Sequence, residues 1–228
     1  MSTETYTIKP IARLRGDLTG KFGLPRQAGI VEELEGTVVF EPEYRNPDAL
    51  RGIEGFSHLW LIWQFSEAVR EDWSPTVRPP RLGGNTRLGV FATRSPFRPN
   101  ALGLSCVKLL AVETDPTLGP VLRVGGADLM DGTPIYDIKP YLPYTDSHPE
   151  ATGGFTDGTA MTRLTVDLPP ELAEKLETAQ RDGLIGVLSC DPRPRYQDDP
   201  TRIYGLTFAG RNVKFTVDGE NLTVLEVE

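Results

Sequence analysis

The residues best suited to chemistry are the arginines of one stretch, VRPPRLGGNTRLGVFATRSPFRPNALGLS, over 77–105. Prolines at 79, 80, 96 and 99 fix backbone torsions there, and glycines at 83, 84, 89 and 103 permit torsions that other residues avoid. Stiff bends of this kind hold Arg78, Arg81, Arg87, Arg94 and Arg98 in place, and a guanidinium fork recognises carboxylate or phosphate. Loops so constrained tend to position function. The competing reading is a proline-rich crossover with exposed arginines.

A second cluster, GGADLMDGTPIYDIKPYLPY over 125–144, sets Asp128, Asp131 and Asp137 among apolar residues. A carboxylate in such surroundings needs hydrogen-bond or cationic partners to stay ionised, and the arginine stretch is one source of them. The plainer reading makes Asp131 and Gly132 a turn and Asp128 a cap. A third segment, FGLPRQAG over 22–29, presents Arg26 and Gln27 just before an apolar run, and FSHLWLIWQF over 56–65 reads first as a core strand. Near the carboxy terminus DPRPRYQ, over 191–197, brings Arg193, Arg195 and Tyr196 ahead of Arg202 and Tyr204. Basic groups alternating with rings suit single-stranded nucleic acid, although Asp191, Asp198 and Asp199 dilute the pattern.

Other chemistries lack their residues. Cys106 and Cys190 lie in apolar runs without the paired spacing of a zinc or redox site, and read as reduced core residues. Two isolated histidines, His58 and His148, make no histidine-rich metal site, and no elbow serine is present. Neither a metal centre nor a hydrolase triad is expected.

The elements that must position these side chains are mostly strands. Short β-branched and aromatic runs separated by turn residues predict strands over 6–14, 36–40, 57–65, 88–93, 103–113, 121–124, 161–167, 184–189, 204–209, 213–217 and 222–227. One helix is predicted over 169–181, with Pro170 in its first turn and Gly183 as its stop. A polar, glycine-rich stretch over 146–158 marks a breakpoint. The expected fold is therefore mainly β: a β-barrel domain over 1–150 and a small α+β carboxy-terminal domain over 151–228. A Rossmann fold is disfavoured, because the paired glycines at 83–84 and 125–126 are not followed by amphipathic helices.

With 228 residues and a formal charge of −8, the chain is acidic overall. The segment from Trp73 to Val112 nevertheless carries Arg78, Arg81, Arg87, Arg94, Arg98 and Lys108 and no acid. Charge segregated in this way allows an anionic partner that the net charge alone argues against. No run approaches the roughly 20 apolar residues of a membrane-spanning helix, and the first residues lack a signal-peptide pattern, so a cytoplasmic protein is expected.

Taken in order, the segments at 22–29, 52–65, 77–105, 127–144 and 191–197 resemble the TrmO-like tRNA methyltransferases over almost the whole chain. The resemblance implies an enzyme that uses S-adenosylmethionine to methylate the N6 nitrogen of N6-threonylcarbamoyladenosine at tRNA position 37, without metal. It also implies a non-Rossmann barrel, a homodimer, and a carboxy-terminal domain that helps hold tRNA. By the same resemblance the cofactor would contact Pro25, Arg26, Gln27, Phe65, Ser66, Arg94, Leu104, Gly125, Gly126, Ala127 and Asp128. Residue chemistry then nominates Asp131 as base or orienter, with Arg94 beside it in the catalytic set, and nominates Arg94 and Arg98 to hold phosphate or the threonyl carboxylate. Arg78, Arg81, Arg98, Arg193, Arg195, Tyr196 and Arg202 are nominated for tRNA. The alternatives are a methyltransferase acting on another nucleoside or small molecule, and a module that binds RNA or S-adenosylmethionine without chemistry.

Overall fold

Alternation of buried and exposed side chains builds the first six long strands into one sheet. In the computed structural model, β1 (Ala12–Gly16), β2 (Glu35–Phe40) and β3 (His58–Gln64) are followed by a two-residue ladder of β4 (Thr76–Val77) and β5 (Leu88–Gly89). Next come β6 (Leu102–Asp115), β7 (Gly119–Gly125) and β8 (Pro134–Pro140). The structure describes residues 4–25, 27–69, 72–79, 82, 85–158, 163–193 and 199–228.

The sheet closes in the order β1-β2-β7-β6-β3-β8, with β8 pairing back onto β1 and every neighbour antiparallel. Inward residues such as Leu14, Val38, Leu59, Leu61, Val107, Leu122 and Ile135 fill this barrel. Strand β3 alternates half-buried and buried residues along its whole length, as an antiparallel strand packed on one face should.

Past the short helix α1 (Pro143–Asp146), the chain forms β9 (Thr165–Asp167), α2 (Pro170–Ala173), α3 (Thr178–Ser189), β10 (Tyr204–Phe208), β11 (Arg211–Asp218) and β12 (Asn221–Val227). The last three strands form an antiparallel meander, and β9 joins it parallel to β12. Their core is separate from the barrel's, but it also takes Leu18, Val31 and Leu34 from the 17–34 connection between β1 and β2. A cut near residue 150 therefore does not separate the two cores along the sequence.

Several expected elements differ. The strand expected over 184–189 is the end of α3, and Gly183, expected as a helix stop, lies inside that helix. The predicted helix over 169–181 is two helices, α2 and the start of α3. A capping box of Glu177 and Gln180 begins α3. Its later turns are buried almost all round, and a continuous apolar run does not distinguish helix from buried strand. The expected strand over 88–93 is only the pair Leu88–Gly89, followed by a 3-10 turn over Val90–Ala92. The one over 6–14 starts at Ala12, where pairing with β2 and β8 begins. Strand β8 was not expected, because Pro134 and Pro140 bracket it, and both sit at its ends where a missing amide is tolerated. Among the described residues no helix is long and apolar enough to cross a membrane.

Candidate functional site

One end of the barrel opens into a cavity of ≈ 630 Å³. The end of β3 and the turn after it contribute Trp63, Gln64, Phe65 and Ser66, and the start of β6 contributes Leu102, Gly103 and Leu104. Asp128, Leu129 and Met130 follow β7, Arg94 and Arg98 come from the arginine stretch, and Lys21, Leu24, Pro25 and Gln27 come from the 17–34 connection. Five separate chain segments converge there.

The floor is a hydrogen-bond chain. Trp63 Nε1 donates to Ser105 Oγ at 3.0 Å, and Ser105 Oγ donates to an Asp128 carboxylate oxygen at 2.6 Å. Trp63 can lie there because its cross-strand partner is Gly103, where a Cβ would sit 2.3 Å from the indole. A glycine inside a strand often marks such a close approach. Burial pushes the Asp128 carboxyl above its ordinary value; the Ser105 hydroxyl, its own amide, the Arg94 charge and the Ala28 amide pull the other way. A raised pKa makes this group a better proton acceptor than an exposed aspartate. The Arg94 guanidinium hydrogen-bonds the side-chain oxygen of Gln27, and Lys21 Nζ donates to the backbone carbonyl of Glu67, joining opposite sides of the mouth.

Of the residues nominated for the cofactor, Pro25, Gln27, Phe65, Ser66, Arg94, Leu104 and Asp128 line this cavity. Gly125, Gly126 and Ala127 do not line it. The two glycines instead let the 17–34 connection approach: a Cβ on Gly125 would lie 2.9 Å from the Glu32 carbonyl, and one on Gly126 would lie 3.2 Å from Gly29. Gly126 also has φ +76, which favours glycine, and its carbonyl accepts from the Gly29 amide at 2.9 Å. Ala127 belongs to the barrel core.

Asp131 lies outside the cavity lining. Its carboxylate accepts from the Gly16 amide at 3.2 Å and pairs with Arg15 at 3.5 Å, which braces the turn before β8 against the end of β1. Arg193 is buried at 8% exposure and forks onto Asp191 through bonds of 2.9 and 3.1 Å, so it braces its own loop and offers no RNA surface. Arg98 donates to the Val90 and Thr93 carbonyls at 3.2 and 2.9 Å and lines the cavity. Arg78 and Arg202 are exposed away from it, Arg202 over the Tyr204 ring. Arg26, Arg81, Arg195 and Tyr196 lie outside the described residues. Trp63, Ser105 and Lys21 were not foreseen, and Gly103, read as a hinge of the arginine stretch, lies inside β6 and makes room for the Trp63 indole. Trp63 and Ser105 sit in strand runs that read as plain core, and the glycine inside an apolar strand was the signal.

Neither His58 nor His148 lines the cavity, and among the described residues no group of three or more His, Cys, Asp or Glu could hold a metal ion. A cavity of this size falls within the roughly 300–1,000 Å³ of small-molecule sites. Largely apolar walls, one buried carboxylate and three cationic side chains suit a ligand carrying a ring, a cation and a carboxylate.

Fold and cavity together define a strand-built protein with a cavity of small-molecule size, outside the doubly wound nucleotide-binding folds. Residues 13–147 match the tRNA-methyltransferase O N-terminal domain, and residues 161–228 match the TrmO C-terminal domain. The chain is 37% identical over 232 residues to the tRNA (adenine(37)-N6)-methyltransferase of Escherichia coli (strain K12), covering 98% of each protein. It is 46% identical over 164 residues to the protein of that name from Eikenella corrodens, covering 72% of this chain and 92% of the relative. The crystal structure of TrmO from Pseudomonas aeruginosa aligns with a TM-score of 0.79 at 31% identity, over 99% of this chain and 100% of that one. The chain belongs to the TrmO family.

Proposed function

We propose that this chain is an S-adenosylmethionine-dependent methyltransferase acting on the N6 nitrogen of adenosine 37 in tRNA, in its threonylcarbamoyl-modified form. Family membership supports the reaction class, and one observation supports the site: a buried carboxylate, an arginine fixed by Gln27 and an aromatic wall share one cavity at the barrel's end. When bound, S-adenosylmethionine supplies an electrophilic methyl group. The apolar walls from Leu24, Phe65, Leu104 and Leu129 keep water from the reacting groups, and Lys21 and Arg94 offer cations to a carboxylate. Holding acceptor and donor in line supplies much of the rate.

The acceptor nitrogen loses a proton as it gains the methyl group, and Asp128, the more buried of the two carboxylates lining the cavity, is the candidate to take it. Asp128 thus replaces Asp131 in that role. Arg98, held by two backbone carbonyls, lies where an anion of the substrate would enter. The exposed apolar side chains Leu110 and Val112 on β6 support a homodimer, and a cytoplasmic setting follows from a tRNA substrate.

The test is nucleoside mass spectrometry after incubating the chain with S-adenosylmethionine and tRNA that carries or lacks the threonylcarbamoyl group. A gain of one methyl on the modified nucleoside only is expected. Methylation of unmodified tRNA would refute the substrate, and cofactor binding without any methylation would favour a binding module.

A further inference from the structure

Reading the cavity as the S-adenosylmethionine site, we infer that the carboxy-terminal unit positions one wall of it, with Gly186 and Arg163 as positioning residues. The 17–34 connection supplies Lys21, Leu24, Pro25 and Gln27 to the cavity but forms no helix or strand of its own among its described residues. Its shape comes from what it leans on. Leu18, Val31 and Leu34 are buried at 1%, 1% and 4% exposure in the core of the carboxy-terminal sheet, alongside Leu184, Val187, Phe208 and Phe215.

Contacts to that unit recur along the connection. Leu18 forms an isolated bridge with Phe208, the Ala209 amide donates to the Asp17 carbonyl at 2.8 Å, and Gln180 in α3 hydrogen-bonds the Asp17 carboxylate. Gly23, at φ +92, lies where a Cβ would be 3.5 Å from Val187 and 3.6 Å from Leu206. Arg163 donates to the Ile30 carbonyl at 2.6 Å.

Helix α3 reaches the connection through two glycines three residues apart, which share a face. A Cβ on Gly183 would lie 3.4 Å from the Glu33 carbonyl, and a Cβ on Gly186 would lie 2.3 Å from Val31 Cγ1. Two glycines weaken a helix interior, so their presence in α3 is explained by this close approach. Any side chain at 186 must push Val31, and with it the segment between Leu24 and Val31 that carries Gln27.

The full-length chain tests this through calorimetry with S-adenosylmethionine and hydrogen exchange of the amides over 21–29 without ligand. Gly186→Ala is expected to raise Kd about tenfold and to speed exchange over 21–29 while the barrel strands stay protected. Adding Val31→Ala to Gly186→Ala removes the clash and should restore Kd to within about threefold. Arg163→Ala, a surface change that leaves both cores intact, should raise Kd about threefold, and Arg163→Lys should recover part of that loss. If Gly186→Ala does not fold, the double variant and Arg163→Ala decide the matter. Wild-type Kd and wild-type exchange over 21–29 in the folded variants would overturn the inference. If the wild-type chain bound no S-adenosylmethionine, the proposed function would fall, and the exchange comparison would still decide whether the carboxy-terminal unit holds this wall.

Discussion

At the scale of single residues the cavity sets stability against function at Asp128. Burial raises its pKa in the folded chain above the roughly 3.9 of an exposed aspartate, so the fold binds the proton more tightly than the unfolded chain does. The stability this confers is present below the unfolded value and is lost as pH rises through the folded one. Asp128→Asn keeps an acceptor for Ser105 and removes the buried charge. Its melting temperature is expected to exceed wild type at pH 8, and the difference should vanish below about pH 3, where both states are protonated. Turnover on modified tRNA should fall by about 10²–10⁴ if Asp128 takes the proton, while Asp131→Asn should leave turnover near wild type. Ser105→Ala removes a donor that lowers the Asp128 pKa, so the acid limb of the pH–rate profile should move to higher pH. The same change leaves Trp63 Nε1 without its partner in the barrel interior, at about 1–3 kcal/mol by chemical denaturation. Asp128 and Arg94 were readable in the sequence because ionisable groups among apolar or proline-bound residues need a reason. Ser105 was not, since a lone serine in LGLSCVKLL carries no mark of what lies across the barrel.

At the scale of elements, what decides is which face of each strand meets another element. Strands β2, β3, β6, β11 and β12 were legible because their alternation is that of a sheet with one face on a core. Helix α3 was not legible over its second half, because it is enclosed between the carboxy-terminal sheet and the 17–34 connection and so has little polar face. The connection itself was seen only as a proline-containing loop: its anchors are distant in sequence, and no local pattern encodes them. The pairing of Trp63 with Gly103 is where two elements must fit to let the cavity exist. Gly103→Ala places a methyl inside the indole, and overpacking of this kind costs about 1–3 kcal/mol. For a chain of this length that lowers Tm by roughly 2–12 °C. Shifted Trp63 fluorescence and weaker cofactor binding should accompany it, whereas Gly89→Ala, with nothing within 4 Å of its Cβ, should change neither.

At the scale of the whole molecule, charge must work against the chain's own sign. A formal charge of −8 repels RNA at long range, so affinity for tRNA has to come from local groups of cations such as the acid-free arginine stretch. Arg78 and Arg94 of that stretch are exposed, and Arg98 is held rigid by backbone carbonyls. Three phosphate contacts on a single-stranded loop give a slope of about −2 in log affinity against log salt, and hence roughly a twentyfold loss between about 50 and 200 mM salt. Arg78 does not line the cavity, so it separates RNA attraction from cofactor binding. Arg78→Ala should weaken tRNA binding at low salt and reduce the slope by about 1, with an unchanged calorimetric Kd for S-adenosylmethionine. Filter binding across a salt series measures the first two quantities. An unchanged slope would mean that Arg78 touches no phosphate.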